Sequence, residues 1–123
     1  MIKKLGQQGE EFAEDYLKRK GYIIKQKNYH TRFGEIDIIA VDPHERQLVF
    51  IEVKTRKNEI YGEPNESVTP QKISRLLQTA LHFLNNAMQN KYISWRMDLI
   101  TLKLDCEKGL IEIKHYKNIL NEY

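Results

Sequence analysis

Apolar residues return every three to four positions in two stretches of this chain, which is the spacing of an amphipathic helix. In the first stretch they predict a helix from about Gly6 to Lys20 that ends at Gly21; its apolar positions are Leu5, Phe12, Ala13, Tyr16 and Leu17. The second and stronger stripe consists of Ile73, Leu76, Leu77, Ala80, Leu81, Leu84, Ala87 and Met88. Thr69 precedes this stripe as a predicted N-cap, and Pro70 takes the first helical position.

Turn residues separate several short segments that are rich in β-branched and aromatic residues, as strands are. These segments predict strands over about residues 22–29, 35–41, 48–55, 95–104 and 110–116. Residues 57–67 show no period and form a predicted loop. The resulting order, α-β-β-β-α-β-β, predicts an α/β fold in which helices flank one mixed sheet.

The second and third predicted strands carry a pattern that fixes how they pair. Successive side chains of a strand point to opposite faces, so one strand has the apolar row Ile36, Ile38 and Ala40, and the other has Val49, Ile51 and Val53. These rows are expected to share a buried face, because a slip of one residue would turn charged groups into the core. The opposite faces match best if Val41 pairs with Leu48, Ile39 with Phe50, Asp37 with Glu52, and Glu35 with Lys54.

Asp37 and Glu52 are therefore expected to stand opposite each other, with Lys54 in the same pocket. Directly opposed Cβ atoms lie about 4.5–5.5 Å apart, and like charges there are destabilising unless something lies between them. Carboxylate oxygens suit a hard divalent cation such as Mg²⁺, and a nearby lysine orients water or balances charge on a phosphoryl oxygen. The competing interpretation is a plain cross-strand ion pair, Glu35–Lys54 or Asp37–Lys54, without a metal.

Composition narrows the class of protein. The chain has 123 residues, of which 41% are hydrophobic and 30% charged, so one globular domain over residues 1–123 is expected. Its longest apolar run, from Ile38 to Val41, is far shorter than the roughly 20 residues of a membrane span, and no apolar segment of a secretory signal follows the first residues. The single Cys106 fits a reducing cytoplasm. The net charge of +3 does not by itself indicate a nucleic-acid partner.

The residues around the acidic pair match a known family. The segments 34–40 and 49–56 resemble those of the bacterial UPF0102/YraN family. The similarity covers roughly residues 5–104, and further matching positions are Gly9, Glu10, Gly21, Asn28, Arg32, Phe33, Thr69, Lys72, Arg96 and Asp98. That family in turn resembles the PD-(D/E)XK nuclease superfamily, close to the archaeal Holliday-junction resolvases.

The resemblance implies a restriction endonuclease-like fold with an α-β-β-β-α-β core. It also implies that Asp37 and Glu52 bind Mg²⁺ or Mn²⁺, that Lys54 is the catalytic lysine, and that Glu10 is the additional acid of the resolvase-like branch. From the helix pattern alone, Glu10 lies at the edge of the apolar stripe, and a solvated glutamate in the first turn is the alternative. Ile36 stands where the superfamily's name places a proline, as in many resolvase-like members.

Basic residues flank the acidic pair on two sides. Arg32, Arg56 and Lys57 surround the charged end of the hairpin, whereas Lys72 and Arg75 begin a polar side of the second helix that continues through Thr79, His82 and Asn86. These residues are candidates for phosphate contacts, and an ordinary solvated surface is the alternative.

The function that this pattern favours is a Mg²⁺-dependent endonuclease that acts on DNA, including branched or structured DNA. The rival is a nucleic-acid-binding module that keeps the fold without catalysis, because fold does not imply function. RNA as a substrate and a homodimer of the resolvase kind both stay open.

Overall fold

The computed structural model describes residues 4–57, 68–86, 94–105 and 107–122. The elements in this part of the chain are α1 (Leu5–Arg19), β1 (Ile23–Thr31), β2 (Gly34–Asp42), β3 (Gln47–Lys57), α2 (Pro70–Asn86), β4 (Ser94–Asp105), β5 (Gly109–Tyr116) and a 3₁₀ turn (Ile119–Glu122). The predicted α/β class and the order α-β-β-β-α-β-β are confirmed. Most of the predicted loop (residues 58–67), the last two positions of the helical stripe (Ala87 and Met88), and Cys106 lie outside the described residues.

Both helices begin or end where the sequence predicts. At the end of α1, the amide of Gly21 donates to the carbonyl of Lys18 at 3.0 Å, and the amide of Tyr22 donates to that of Leu17 at 2.9 Å. Gly21 has a φ of 91°, so this is a Schellman motif that glycine favours. At the start of α2, the hydroxyl of Thr69 accepts a hydrogen bond from the Lys72 amide at 3.2 Å, as an N-cap does.

The five strands described form one mixed sheet in the order β1-β2-β3-β4-β5. The first three strands form an antiparallel meander, β4 runs parallel to β3, and β5 returns antiparallel to β4. The parallel step requires a crossover connection, which contains α2. The predicted register of β2 against β3 is confirmed over the apolar half of the hairpin, where Val41 pairs with Leu48 and Ile39 pairs with Phe50.

Both faces of the sheet are buried. One apolar cluster lies beneath α1 and includes Ala13, Leu17, Ile38 and Val49. The second lies beneath α2 and contains Ile39, Val41, Leu48, Phe50, Ile73, Leu76, Ala80, Met97 and Leu99. The middle strands therefore have near-continuous apolar runs, as expected for strands covered on both sides. Of the helices described, none is both long enough and apolar enough to cross a membrane.

A buried polar network joins the strands on the α1 side of the sheet. The guanidinium of Arg96 donates to Asp98 at 3.0 Å, to Asp42 at 3.1 Å and to the Tyr22 hydroxyl at 2.7 Å. The ring of His115 bonds the other oxygen of Asp98 at 2.7 Å. Within the described residues, every buried side-chain nitrogen and oxygen has a partner. This network ties β2, β4 and β5 together and stabilises the sheet on the face opposite to α2.

Candidate functional site

The hairpin of β2 and β3 changes character where its apolar half ends. Regular pairing extends from Asp42–Gln47 to Ile38–Ile51. Beyond it, the carboxylate of Asp37 accepts a hydrogen bond from the backbone amide of Val53 at 2.7 Å. In a continued antiparallel ladder, that amide would face a backbone carbonyl of β2. The predicted backbone pairs Asp37–Glu52 and Glu35–Lys54 are therefore wrong, because a side chain takes the place of the next ladder bond.

The same break changes the direction of Ile36. Strict alternation predicts that Ile36 shares a face with Ile38, but Ile36 packs in the α2 cluster with Ile39. The face to which a side chain points alternates only while a strand keeps its regular pleat. The irregular end of the hairpin therefore interrupts the apolar rows at the position where the two carboxylates meet.

The side chain of Glu52 is largely buried, with 11% of it exposed. Burial, followed by the charge and a hydrogen bond of Asp37, raises the pKa of Glu52 to about 8, whereas Lys72 and Lys54 act in the opposite direction. The ammonium of Lys72 lies 3.6 Å from Glu52 Oε1. Such a contact is longer than the roughly 2.7–2.9 Å of a strong charged hydrogen bond, so it offsets the repulsion only in part. The burial and the neighbouring acid therefore favour the protonated form of Glu52 while no cation is bound.

A cavity of about 240 Å³ opens at this pair, between the end of the hairpin and the start of α2. Its described lining residues are Gly34, Glu35, Asp37, Glu52, Lys72, Arg75 and Leu76. Carboxylates thus lie at the base of the cavity on the strands, and two basic side chains reach it from one helix. This arrangement combines ligands for a cation with contacts for an anion.

Lys54 is not among the described residues that line the cavity, but it lies close enough to Glu52 and Asp37 for their charges to affect its pKa. Burial, and then the positive charges of Lys72 and Arg56, lower the pKa of Lys54, while Glu52 and Asp37 raise it. The ammonium of Lys54 is therefore attracted electrostatically by both carboxylates. Among the described residues, neither alternative ion pair, Glu35–Lys54 nor Asp37–Lys54, lies within 4.0 Å: Glu35 contacts His30 at 3.5 Å. The lysine that contacts an acid of the pair is Lys72, from the helix.

Glu10 reaches the other side of the acidic pair from α1. Burial, followed by the charges of Asp37 and Glu35, raises the pKa of Glu10. In the orientation that satisfies its neighbours, the amide nitrogen of Asn28 donates to Glu10 at 3.1 Å and to Glu35 at 3.2 Å. The structure therefore places Glu10 at the acidic end of the hairpin, rather than leaving it as an isolated glutamate in solvent.

The other residues predicted to contact nucleic acid are not among the described residues that line the cavity. Arg32 is exposed, and its guanidinium stacks over the Phe33 ring at 4.9 Å. Arg56 and Lys57 occupy the last positions of β3. The polar side predicted for α2 is wrong at Thr79, which is fully buried and donates to the carbonyl of Arg75 at 2.8 Å. A threonine can bond the preceding turn in this way, so a polar residue at helical spacing need not face water.

The two carboxylates of this site suit a magnesium ion that keeps part of its water shell. Among the described residues, no three Asp, Glu, His or Cys side chains form a ready-made metal cage. Mg²⁺ is usually held by one or two carboxylates and retains several waters. Asp37 and Glu52 supply these two carboxylates beside an open cavity, and a bound cation would offset the repulsion from Asp37 that helps to raise the pKa of Glu52.

Comparison with known proteins shows the family to which the chain belongs. The family model described as "Uncharacterised protein family UPF0102" matches residues 9–102. The chain belongs to UPF0102. The UPF0102 protein of Clostridium botulinum strain Loch Maree is 42% identical over 117 residues, which are 94% of this chain and 93% of that protein. The UPF0102 protein of Desulforamulus reducens is 42% identical over 118 residues, 96% of each.

The UPF0102 match contains all the candidate site residues, from Glu10 to Arg75. Two structural features of the site went unrecognised in the sequence. Asn28 adopts a left-handed φ of 53° within β1, a conformation uncommon for a residue other than glycine and often found at functional sites. The contact between Lys72 and Glu52 joins residues from different elements, and no spacing along the chain signals it. In the sequence, only the match of Asn28 to the family pointed to a role for this residue.

Proposed function

We propose that this UPF0102 protein is a Mg²⁺- or Mn²⁺-dependent endonuclease that hydrolyses phosphodiester bonds in DNA. The observation that carries the proposal is the convergence of Asp37 and Glu52 in a cavity that Lys72 and Arg75 also line. Two close carboxylates suit a divalent cation, and the basic pair suits the phosphate that the cation would share. When bound, such a cation polarises the scissile phosphate and lowers the pKa of a bound water.

Each nearby side chain has a distinct role in this proposal. Asp37 and Glu52 hold the cation, and the Val53 amide fixes the Asp37 carboxylate in position. Lys54 stabilises charge on the phosphoryl oxygens or orients the attacking water. Glu10 orients a second water or a second ion from the side of α1, and Asn28 holds its carboxylate there.

The DNA path follows the basic residues around the cavity. Lys72 and Arg75 line the cavity itself, while Arg32, Arg56 and Lys57 extend the charged surface from the ends of the neighbouring strands. These contacts fall on phosphates, so they favour recognition of DNA shape over sequence. We propose structured or branched DNA as the substrate, a cytoplasmic site of action, and pairing of two copies when both strands are cut.

A cleavage screen tests the proposed function. Purified protein is incubated with labelled four-way junction, flap, duplex and single-stranded DNA, and with matching RNA, in Mg²⁺ or in EDTA. We expect cleavage of at least one DNA in Mg²⁺ alone, with the rate reduced at least about a hundredfold in Asp37→Asn. Asp15→Asn is the matched control, because Asp15 forms an exposed ion pair with Arg19 on α1.

Two results would contradict the proposal. Equal cleavage by wild type and Asp37→Asn would assign the activity to a contaminant. Metal-independent DNA binding without cleavage of any substrate would favour the non-catalytic binding module.

A further inference from the structure

Lys72 occupies a position that the stability of its own helix does not explain. It lies in the first turn of α2, and its amide bonds the Thr69 cap. The helix dipole makes a cation unfavourable at this end and favours an acidic residue there. Yet α2 has no acidic residue in its first turn. Its ammonium instead lies 3.6 Å from an oxygen of Glu52, outside the helix.

The contact between Lys72 and Glu52 has the geometry of a weak pair that another cation could replace. The separation of Nζ and Oε1 is 3.6 Å, and the lysine side chain is 32% exposed while that of the glutamate is 11% exposed. The ammonium therefore approaches the buried acid from the solvent side of the cavity. A long, partly exposed contact of this kind is weak, because solvent screens it and the lysine loses side-chain freedom.

A divalent cation bound by Asp37 and Glu52 would compete with this ammonium for the same carboxylate. Once displaced, the Lys72 side chain would still be anchored in the first turn of α2, beside Arg75, which lines the same cavity. The start of a helix also favours anions through its free amides and its dipole. A phosphate that enters the cavity beside Arg75 would therefore be a favourable partner for the displaced ammonium.

We infer that Lys72 is an exchangeable counterion that makes phosphate binding depend on the divalent cation. Without the cation, the ammonium lies against Glu52; with it, Lys72 contacts DNA. This inference rests on the proposed function, since it assumes that Asp37 and Glu52 hold the cation. It goes further in making Lys72 a positioning residue that couples two ligands.

The exchange predicts effects of opposite sign on the two ligands. Removal of the ammonium frees Glu52, so the cation alone should bind more tightly to Lys72→Gln, by about two- to fivefold for a pair of this exposure. The same variant should bind DNA more weakly only when the cation is present. Because coupling between two ligands is reciprocal, the enhancement of DNA binding by the cation should fall in this variant.

The salt dependence of DNA binding gives the sharpest test. Affinities for a fluorescein-labelled DNA duplex are measured by anisotropy across a salt series, once in EDTA and once in Ca²⁺, with gels to verify that the DNA stays intact. Each phosphate contact contributes about one unit to the slope of log affinity against log salt. For Lys72→Gln we expect a slope about one unit shallower than that of wild type in Ca²⁺ and an equal slope in EDTA.

Arg75→Gln is the matched control, because Arg75 lines the same cavity one turn later and has no carboxylate within 4.0 Å among the described residues. Its slope should be shallower in both conditions. A Lys72→Gln slope that is shallower in EDTA and Ca²⁺ alike, or equal to wild type in both, would overturn the inference.

Calorimetry with Mg²⁺ alone separates the cation site of the proposed function from the exchange at Lys72. If wild type binds no cation, the proposed function fails as well; if it binds Mg²⁺ as tightly as Lys72→Gln does, only the exchange fails.

Discussion

Gly9 of α1 lies directly against the side chain of Thr55 on β3. A Cβ atom added to Gly9 would stand 2.9 Å from the Thr55 Cβ and would overlap its hydroxyl. Gly9 therefore lets the helix approach the sheet at the end of β3 that carries Lys54. Glu10, the next residue, is carried towards the acidic pair by the same approach.

The first prediction concerns this contact. Gly9→Ala should destabilise the protein by about 1–3 kcal/mol, the usual cost of overpacking, because neither the helix nor the strand can move without disturbing its neighbours. Gly6→Ala is the control: the added Cβ would meet nothing within 4 Å, and alanine should stabilise the helix by roughly 0.5–1 kcal/mol. Urea denaturation of both variants measures the difference. A Gly9→Ala protein as stable as Gly6→Ala would show that the close approach has no energetic consequence.

The second prediction concerns stability against pH without metal. The pKa of Glu52 is raised to about 8 in the folded protein from an ordinary 4.5. Below pH 4.5 both states hold the proton, and between 4.5 and 8 only the folded state does. The protein should therefore lose stability as pH rises through this range, by an amount on the order of a few kcal/mol. Glu52→Gln, which cannot titrate, should lack that loss.

Melting curves in EDTA at pH 5.5 and pH 8.5 provide the measurement. Wild type and Glu52→Gln should melt alike at the lower pH, and the variant should melt higher at the higher pH. Mg²⁺ should then raise the melting temperature of wild type alone, since ligand binding to the folded state stabilises it. If Glu52 acts only as an ion-pair partner of Lys72, the variant should instead melt lower at pH 8.5.

The third prediction concerns the buried polar network. Burial alone would raise the pKa of Asp98, but hydrogen bonds from His115, Arg96 and the Asn118 amide outweigh it and lower the value. Asp98→Asn leaves the Arg96 charge underpaired, which typically costs about 3–5 kcal/mol. Because the pKa is lowered, wild type should also lose this stabilisation as pH falls below the ordinary 3.8.

The exposed Asp15 of α1 is the control for this network. Its ion pair with Arg19 leaves both side chains more than half exposed, so Asp15→Asn should change stability by at most about 1 kcal/mol. Thermal denaturation at pH 7 compares the two variants. Similar melting temperatures for Asp98→Asn and Asp15→Asn would show that the network contributes little.

The fourth prediction concerns the wider DNA surface. Arg56→Ala should weaken DNA binding on every sequence tested and reduce the salt slope by about one unit, as loss of a phosphate contact does. Arg19→Ala is the control, because Arg19 is the last residue of α1 and forms an exposed ion pair with Asp15 on that helix. Anisotropy titrations in a salt series compare both with wild type. Equal slopes in all three proteins would remove Arg56 from the DNA path.

The apolar half of the hairpin was predictable because one rule decides it. Ile39, Val41, Leu48 and Phe50 must all reach a core, and only one register allows this. The caps of the helices were likewise readable, since Thr69 and Gly21 act on their own neighbours along the chain.

The charged end of the hairpin was not predictable in the same way. There the Asp37 carboxylate competes with a backbone carbonyl for the Val53 amide, and no pattern of apolar residues decides between them. Thr79 and the Lys72–Glu52 contact depend on how α2 lies across the sheet. Such contacts join distant parts of the chain, so they follow from the packed fold and not from local spacing.

The most direct test of the central claim is the location of the cation. In ¹⁵N-labelled protein, Mn²⁺ added in small steps broadens the amide signals nearest to its binding site. We predict that the amides of Asp37 and Val53 are lost first, that Glu45, in the turn at the opposite end of the hairpin, persists, and that Glu52→Gln abolishes the effect. Broadening that starts instead at Glu11 and Asp105, which line a separate cavity, would contradict a cation site at the acidic pair.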